Sequence, residues 1–231
     1  MGNGNGNAMR VLLVGATGLV GQGVLQACLQ SADVGHVAAL VRRPGSVPGN
    51  VDEIVLADFQ RAATLGDALA GFDACFYCAG APPVGTAEPE YRQVTLQVTR
   101  AVAEAWAAAN PGGCFLYVSG AHANPDSRIM PLRVKGETEQ ALANLPVRTV
   151  MLRPAGVRPV SGTGTRHALL KPFYLLARPL MAVAEGLLPA LTTSNRGIGQ
   201  AMIALARMPS PPAVVECAQI NALARDPSAR R

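Results

Sequence analysis

VLLVGATGLVGQG, residues 11–23, runs four apolar side chains straight into a loop with glycine at 15, 18, 21 and 23. A chain gives up side chains at that density where its backbone must turn sharply or let something approach closely. The apolar run predicts a buried strand over 9–14, and the stretch after the loop predicts a helix over 19–30. Gly15, Gly18 and Gly21 stand between them as GxxGxxG, opening a strand–helix–strand unit of roughly thirty residues, the context in which such a loop carries a dinucleotide. The first glycine permits the turn, the second admits a pyrophosphate to the backbone, and the third lets helix and strand pack closely. Ala16, Thr17, Leu19 and Val20 complete the loop and the first helical turn. Unpaired N–H groups at the positive end of that helix suit a phosphate.

The end of the second strand selects the dinucleotide. A site for NAD(H) places Asp or Glu about 20 residues beyond the glycines to accept from the ribose hydroxyls. This chain has ValArgArgPro there, with Arg42 and Arg43 and no carboxylate. Two guanidinium forks match a 2′-phosphate, so NADP(H) is favoured, with NAD(H) the alternative.

Outward from the loop, apolar runs predict further strands over 36–41, 51–56, 74–78, 114–119, 147–152 and 213–216. Helices fall over 62–69, about 90–109, 130–143 and 195–207. Strands alternating with helices, each strand an unbroken apolar run, imply a doubly wound α/β domain with a parallel sheet covered on both faces, the Rossmann fold. We expect one domain over 9–220, preceded by a Gly/Asn linker over 1–8 with a native start at Met9. Residues 160–210 would form a small helical C-terminal cap over the substrate, and 221–231 a disordered tail. The most apolar stretch, 168–191, is broken by Lys171, Pro172, Arg178, Pro179 and Glu185, which argues against a bilayer span and for a cap or a homodimer contact.

Aromatic residues make up 4% of the 231 residues, and the net charge of +5 comes from scattered arginines, a poor basis for binding nucleic acid. Five cysteines without framework spacing imply reduced thiols and a cytoplasmic protein. Cys75 and Cys78 form a CxxC, but Phe76 and Tyr77 lie between them in an apolar run, so the pair is strand interior, and no metal site is expected.

Several motifs occur in order: GATGLVG at 15–21, Asp58–Phe59, Cys78–Ala79–Gly80, TyrValSerGly at 117–120, ValLysGlyGluThrGlu at 134–139 and LeuArgProAla at 152–155. Together they resemble the atypical short-chain dehydrogenase/reductases, and within them the subgroup related to the Tat-interacting, oxidoreductase-like tumour suppressor and its bacterial relatives. The likeness spans roughly residues 10–160. It implies that Asp58 accepts from the adenine amino group with Phe59 beside the ring, and that Cys78, Ala79 and Gly80 line the adenine ribose and the far side of the pyrophosphate. It further implies that Val118 borders the cofactor, that Ser119 bonds a substrate carbonyl, that Lys135 holds the nicotinamide ribose, and that Pro154 and Val157 flank the nicotinamide.

One position departs from the pattern. The family's Tyr-x-x-x-Lys needs a tyrosine four residues before Lys135, where this chain has Pro131. That phenol would deliver a proton as hydride reaches the carbonyl carbon, and proline cannot. His122, three residues after Ser119 on the loop following the fifth strand, is the candidate substitute, since imidazole suits proton transfer near neutral pH; His167 and Tyr174 could also reach in from the cap. No nucleophile elbow supports a hydrolase. Three functions stay open: a reductase of a small carbonyl, enone or quinone-like substrate, a catalytically silent NADPH sensor or scaffold for a protein partner, and a non-redox isomerase.

Overall fold

The computed structural model describes residues 8–160 and 190–225. The strands are β1 Met9–Val14, β2 Val34–Val41, β3 Asp52–Val55, β4 Ala74–Tyr77, β5 Cys114–Val118, β6 Arg148–Arg153, β7 Gly156–Arg158, β8 Thr192–Ser194 and β9 Val214–Glu216. The α-helices are α1 Leu19–Gln30, α2 Glu88–Arg92, α3 Val98–Ala109, α4 Met130–Ala143, α5 Asn195–Arg207 and α6 Cys217–Arg225. Seven strands form one sheet in the order β3-β2-β1-β4-β5-β6-β9, and every pairing in it is parallel. This is the doubly wound architecture expected, and its strand order reverses between β1 and β4.

Period-two alternation builds a core on each face of the sheet. On one face Val11, Leu13, Phe76 and Leu116 pack against Val24, Ile198, Met202 and Ile220 of α1, α5 and α6. On the other, Leu12, Val14, Tyr77, Phe115 and Tyr117 pack against Val102, Ala103 and Trp106 of α3. Trp106 is fully buried with its ring 5.9 Å from that of Phe115. Cys75 is buried inside β4, as expected, whereas Cys78 lies one residue past its end and is half-buried; both are free thiols, and burial pushes both well above the usual thiol range.

Several expectations need correction. The segment expected as a helix over 62–69 is a run of 3₁₀ turns, Phe59–Leu69, broken at Arg61 and at Gly66 (φ +49°). The long helix over 90–109 is α2 and α3 joined through one π-helical turn at Gln93–Gln97. Residues 195–207 form no cap: α5 lies against α1 on the sheet, and ten of its thirteen residues are buried. The tail is shorter than expected, because residues 217–225 are α6, with Cys217, Ile220 and Asn221 buried at helical spacing. The Asn221 amide donates to Thr192 O at 2.8 Å and pins that helix down. The small parallel ladder of β7 and β8 was not anticipated. Residues 161–189, with His167, Tyr174 and most of the 168–191 run, lie outside the described residues. Among the described residues no helix is long and apolar enough to cross a membrane.

Candidate functional site

The strand order reverses between β1 and β4, and in open parallel sheets ligands bind outside the carboxyl ends of the strands at such a switch point. The glycine loop leaves β1 there. Gly15 has φ +86°, and a side chain on it would come within 2.6 Å of the Ala79 backbone nitrogen. Gly21 lies so close under the loop that a Cβ would overlap the Gly15 carbonyl. The protein's own backbone demands both glycines.

Gly18 differs. Its φ of −80° and ψ of 169° suit any residue, and a Cβ would meet only Gly15 O at an ordinary 3.4 Å. It is exposed and caps α1 without a side-chain bond, and no acidic residue stands in the first turn. The N–H groups of Leu19, Val20 and Gly21 open α1 and have no intrahelical acceptor. The space that a Gly18 side chain would fill lies beside these donors. Free donors beside open space are what a phosphate at a helix N-terminus requires.

Most of the other sequence-predicted positions lie just past the carboxyl ends of the strands. Arg42 and Arg43 follow β2, are exposed, and pair with no carboxylate among the described residues. The nearby carboxylate of Glu53 is occupied by the backbone N–H groups of Gly45, Ser46 and Val47 at 2.7, 2.7 and 3.0 Å. Asp58 accepts from Gln60 N at 3.0 Å, capping the 3₁₀ segment while staying exposed. Phe59 packs part of its ring on the core. Cys78 is anchored by its N–H to Val14 O at 2.8 Å, beside Ala79 and the open Gly80. Pro154 is buried and accepts from Ala121 N at 2.9 Å, and Val157 lies half-buried on β7.

At the end of β5 the structure brings two of the three candidate catalytic residues together. The ammonium of Lys135 donates to Ser119 O at 2.8 Å and to Val118 O at 3.3 Å, and sits 5.4 Å from the centre of the Tyr117 ring. Desolvation lowers the Lys135 pKa to about 8, with Glu139 opposing the shift. The Ser119 hydroxyl is buried and has no partner. A buried hydroxyl left unbonded costs stability, and a ligand that bonded it would recover that cost. His122 is exposed, and its backbone is the sole non-glycine among the described residues with positive φ, +60°. Strain of that kind concentrates at functional loops. The loop is held on both sides, by Ala121 on Pro154 and by Asn124 N on Leu132 O at 3.0 Å. Pro131 occupies the first turn of α4.

Tyrosine offers no substitute acid among the described residues. Tyr77, Tyr91 and Tyr117 are buried at 1% exposure or less, and burial raises the pKa of each. Arg153, which the sequence does not single out by itself, engages the carboxylate nearest to Lys135. Its guanidinium grips Glu139, one turn beyond Lys135, at 3.0 and 2.5 Å, so that carboxylate is already engaged. The LeuArgPro motif and the Lys-x-x-x-Glu spacing carry that signal in the sequence.

This arrangement defines an NAD(P)-binding Rossmann domain, and residues 15–172 match the NAD(P)H-binding family, to which the chain therefore belongs. It is 31% identical over 160 residues to "Protein FMP52, mitochondrial" of Coccidioides immitis (strain RS), covering 62% of this chain and 63% of that one. It is 27% identical over 141 residues to "Leucinostatins biosynthesis cluster protein T" of Purpureocillium lilacinum, covering 59% and 52%. The chain thus spans between half and two thirds of the length of these relatives. Among solved structures, MoeE5 in complex with UDP-glucose and NAD matches with TM-score 0.63 and 20% identity over 93% of this chain and 80% of that one. The UDP-glucuronic acid 4-epimerase of Bacillus cereus in complex with NAD matches with TM-score 0.63 and 17% identity over 90% and 76%. At these identities the structures establish the fold alone.

Proposed function

We propose that the chain is an NADP(H)-dependent reductase of a small carbonyl, enone or quinone-like substrate that works without the usual tyrosine. The observation that carries this reading is the buried, unpartnered Ser119 hydroxyl beside an ammonium held by the same residue's carbonyl. A domain that only binds a dinucleotide has little use for such a hydroxyl. The motifs resembling the atypical short-chain reductases support it.

NADPH, when bound, supplies the hydride. Leu19, Val20 and Gly21 would donate to its pyrophosphate, and Arg42 and Arg43 would pair with its 2′-phosphate. Lys135 would hold the nicotinamide ribose, and Pro154 and Val157 would shield the nicotinamide. Ser119 would donate to the substrate oxygen. His122 is the proton donor this reading assigns. An enone or quinone asks least of that donor, because conjugation spreads the developing charge.

The test is NADPH oxidation with a panel of quinones, enones and simple ketones, together with calorimetry of both cofactors. NADPH should bind more tightly than NADH. The Arg42→Ala/Arg43→Ala double variant should lose that preference, about tenfold or more for two charge-assisted bonds, while NADH binding stays nearly constant. Equal affinities in the unmodified protein would refute the NADP(H) assignment.

Lys135 adds a pH dependence. Its pKa of about 8 lies below the ordinary lysine value because burial disfavours the ammonium, so the charge is present below pH 8 and is lost as pH rises through it. Turnover should therefore fall on the alkaline side with a midpoint near 8, and Lys135→Arg should move that limb beyond the accessible range. A profile flat to pH 10 would remove Lys135 from the working machinery.

Pro131 favours a second reading, an NADPH-binding sensor that no longer reacts. Tight NADPH binding with no turnover across the panel would select it.

A further inference from the structure

Asn195, the first residue of α5, is fully buried and uses both ends of its amide. Its Nδ2 donates to Leu19 O at 2.8 Å, across 176 positions of sequence. Its Oδ1 accepts from Val160 N at 3.1 Å and from Arg196 N at 3.0 Å. The partners fix this orientation, because a carbonyl needs a donor and an N–H needs an acceptor. Helix capping does not explain the residue, since Ser194 already caps α5 by accepting from Gly197 N at 3.1 Å. Space filling does not explain it either: the rest of the buried face carries Ile198, Met202 and Leu205, and an apolar side chain would fill space without two demanding bonds. The first turns of α1 close directly on it, for a Cβ on Gly23 would overlap the Asn195 amide carbon.

The two groups that the amide joins belong to what would be the two halves of the cofactor site. Leu19 opens α1, where the pyrophosphate would sit. Val160 ends the segment 154–160 that leaves β6, carries β7 and would border the nicotinamide. Two groups bonded to one amide lie within about 6 Å of each other. We propose that Asn195 is a positioning residue that sets the register between these two halves, so that a dinucleotide spanning both meets them at the right separation. The proposal rests on the dinucleotide reading above and adds to it the device that aligns the site.

The test compares two ligands by calorimetry: NADPH, which spans both halves, and adenosine 2′,5′-bisphosphate, which occupies only the α1 side. Asn195→Ala should weaken NADPH about tenfold or more and leave the bisphosphate within about twofold. Val160→Pro removes the donor at the other end of the link without touching α1, and should give the same split. Equal weakening of both ligands would mean that Asn195 only supports the fold and would overturn the proposal, as would unchanged NADPH affinity in either folded variant. If Asn195→Ala does not fold, Val160→Pro decides alone. Failure of the unmodified protein to bind either ligand would instead overturn the dinucleotide reading on which the proposal stands.

Discussion

Gly18→Val should leave the fold standing and abolish dinucleotide binding. The backbone there is extended, at φ −80° and ψ 169°, a region valine favours. Its Cβ would meet only the Gly15 carbonyl, at 3.4 Å. The protein itself would register little beyond the cost of a poor helix cap, about 1 kcal/mol. The ligand would register far more. A branched side chain beside the free N–H groups of α1 would keep phosphate oxygens out of reach, and losing two hydrogen bonds to a charged group corresponds to about 10²–10⁴-fold in affinity. Gly15→Val and Gly21→Val should behave differently, because a side chain at either would strike backbone and so lower the thermal unfolding midpoint as well. Thermal unfolding beside NADPH calorimetry separates the cases. A Gly18→Val protein that binds NADPH like the unmodified one would show that the pyrophosphate does not use this loop.

The contrast among the glycines shows what the sequence makes legible. A pattern of apolar runs and glycines specifies the sheet, because burial on both faces leaves strands such as 11–14 and 114–118 without polar interruptions. The helices over 19–30, 130–143 and 195–207 likewise follow from their periodicity and from the turn residues between them. The pattern does not say which glycine serves the fold and which serves the ligand, since that depends on what lies opposite each Cα. It also misplaced α5 as a cap. A helix with apolar residues over much of its surface packs equally well on a sheet or over a site, and only Gly23 and Gly199, where α1 and α5 touch through missing side chains, settle the matter. The Asn195 link was invisible for the same reason: its partners, Leu19 and Val160, are near only in three dimensions. In contrast, the Ser119–Lys135 pair was legible, because two short motifs fix the end of β5 and the first turns of α4, and the fold brings those ends together.

Pro131→Tyr should create or greatly raise NADPH-dependent reduction of simple aldehydes and ketones. Residue 131 lies four before Lys135 in α4, so the two share a face one turn apart. The substitution costs the helix little: proline is favoured in a first turn but not required there, and the N–H that tyrosine restores needs no intrahelical partner. The new phenol would stand near an ammonium already anchored on Ser119 O at 2.8 Å and beside a hydroxyl that lacks a partner. A neighbouring positive charge lowers a phenol's pKa toward the working range. It would supply a general acid at the position where the short-chain reductase pattern has its tyrosine, worth about 10²–10⁴-fold. The gain should follow the charge on Lys135, present below pH 8 and fading above it, and Lys135→Met in the same background should erase it. The unmodified protein should be slow on ordinary ketones whatever it does with quinones, and His122→Ala should lower that residual activity if the imidazole is the native donor. Two outcomes would overturn this account. Reduction of simple ketones at full enzymatic rates by the otherwise unmodified His122→Ala protein would mean that the acid lies elsewhere. A Pro131→Tyr protein that folds and binds NADPH normally yet gains nothing would mean that Ser119 and Lys135 do not face the reacting carbon.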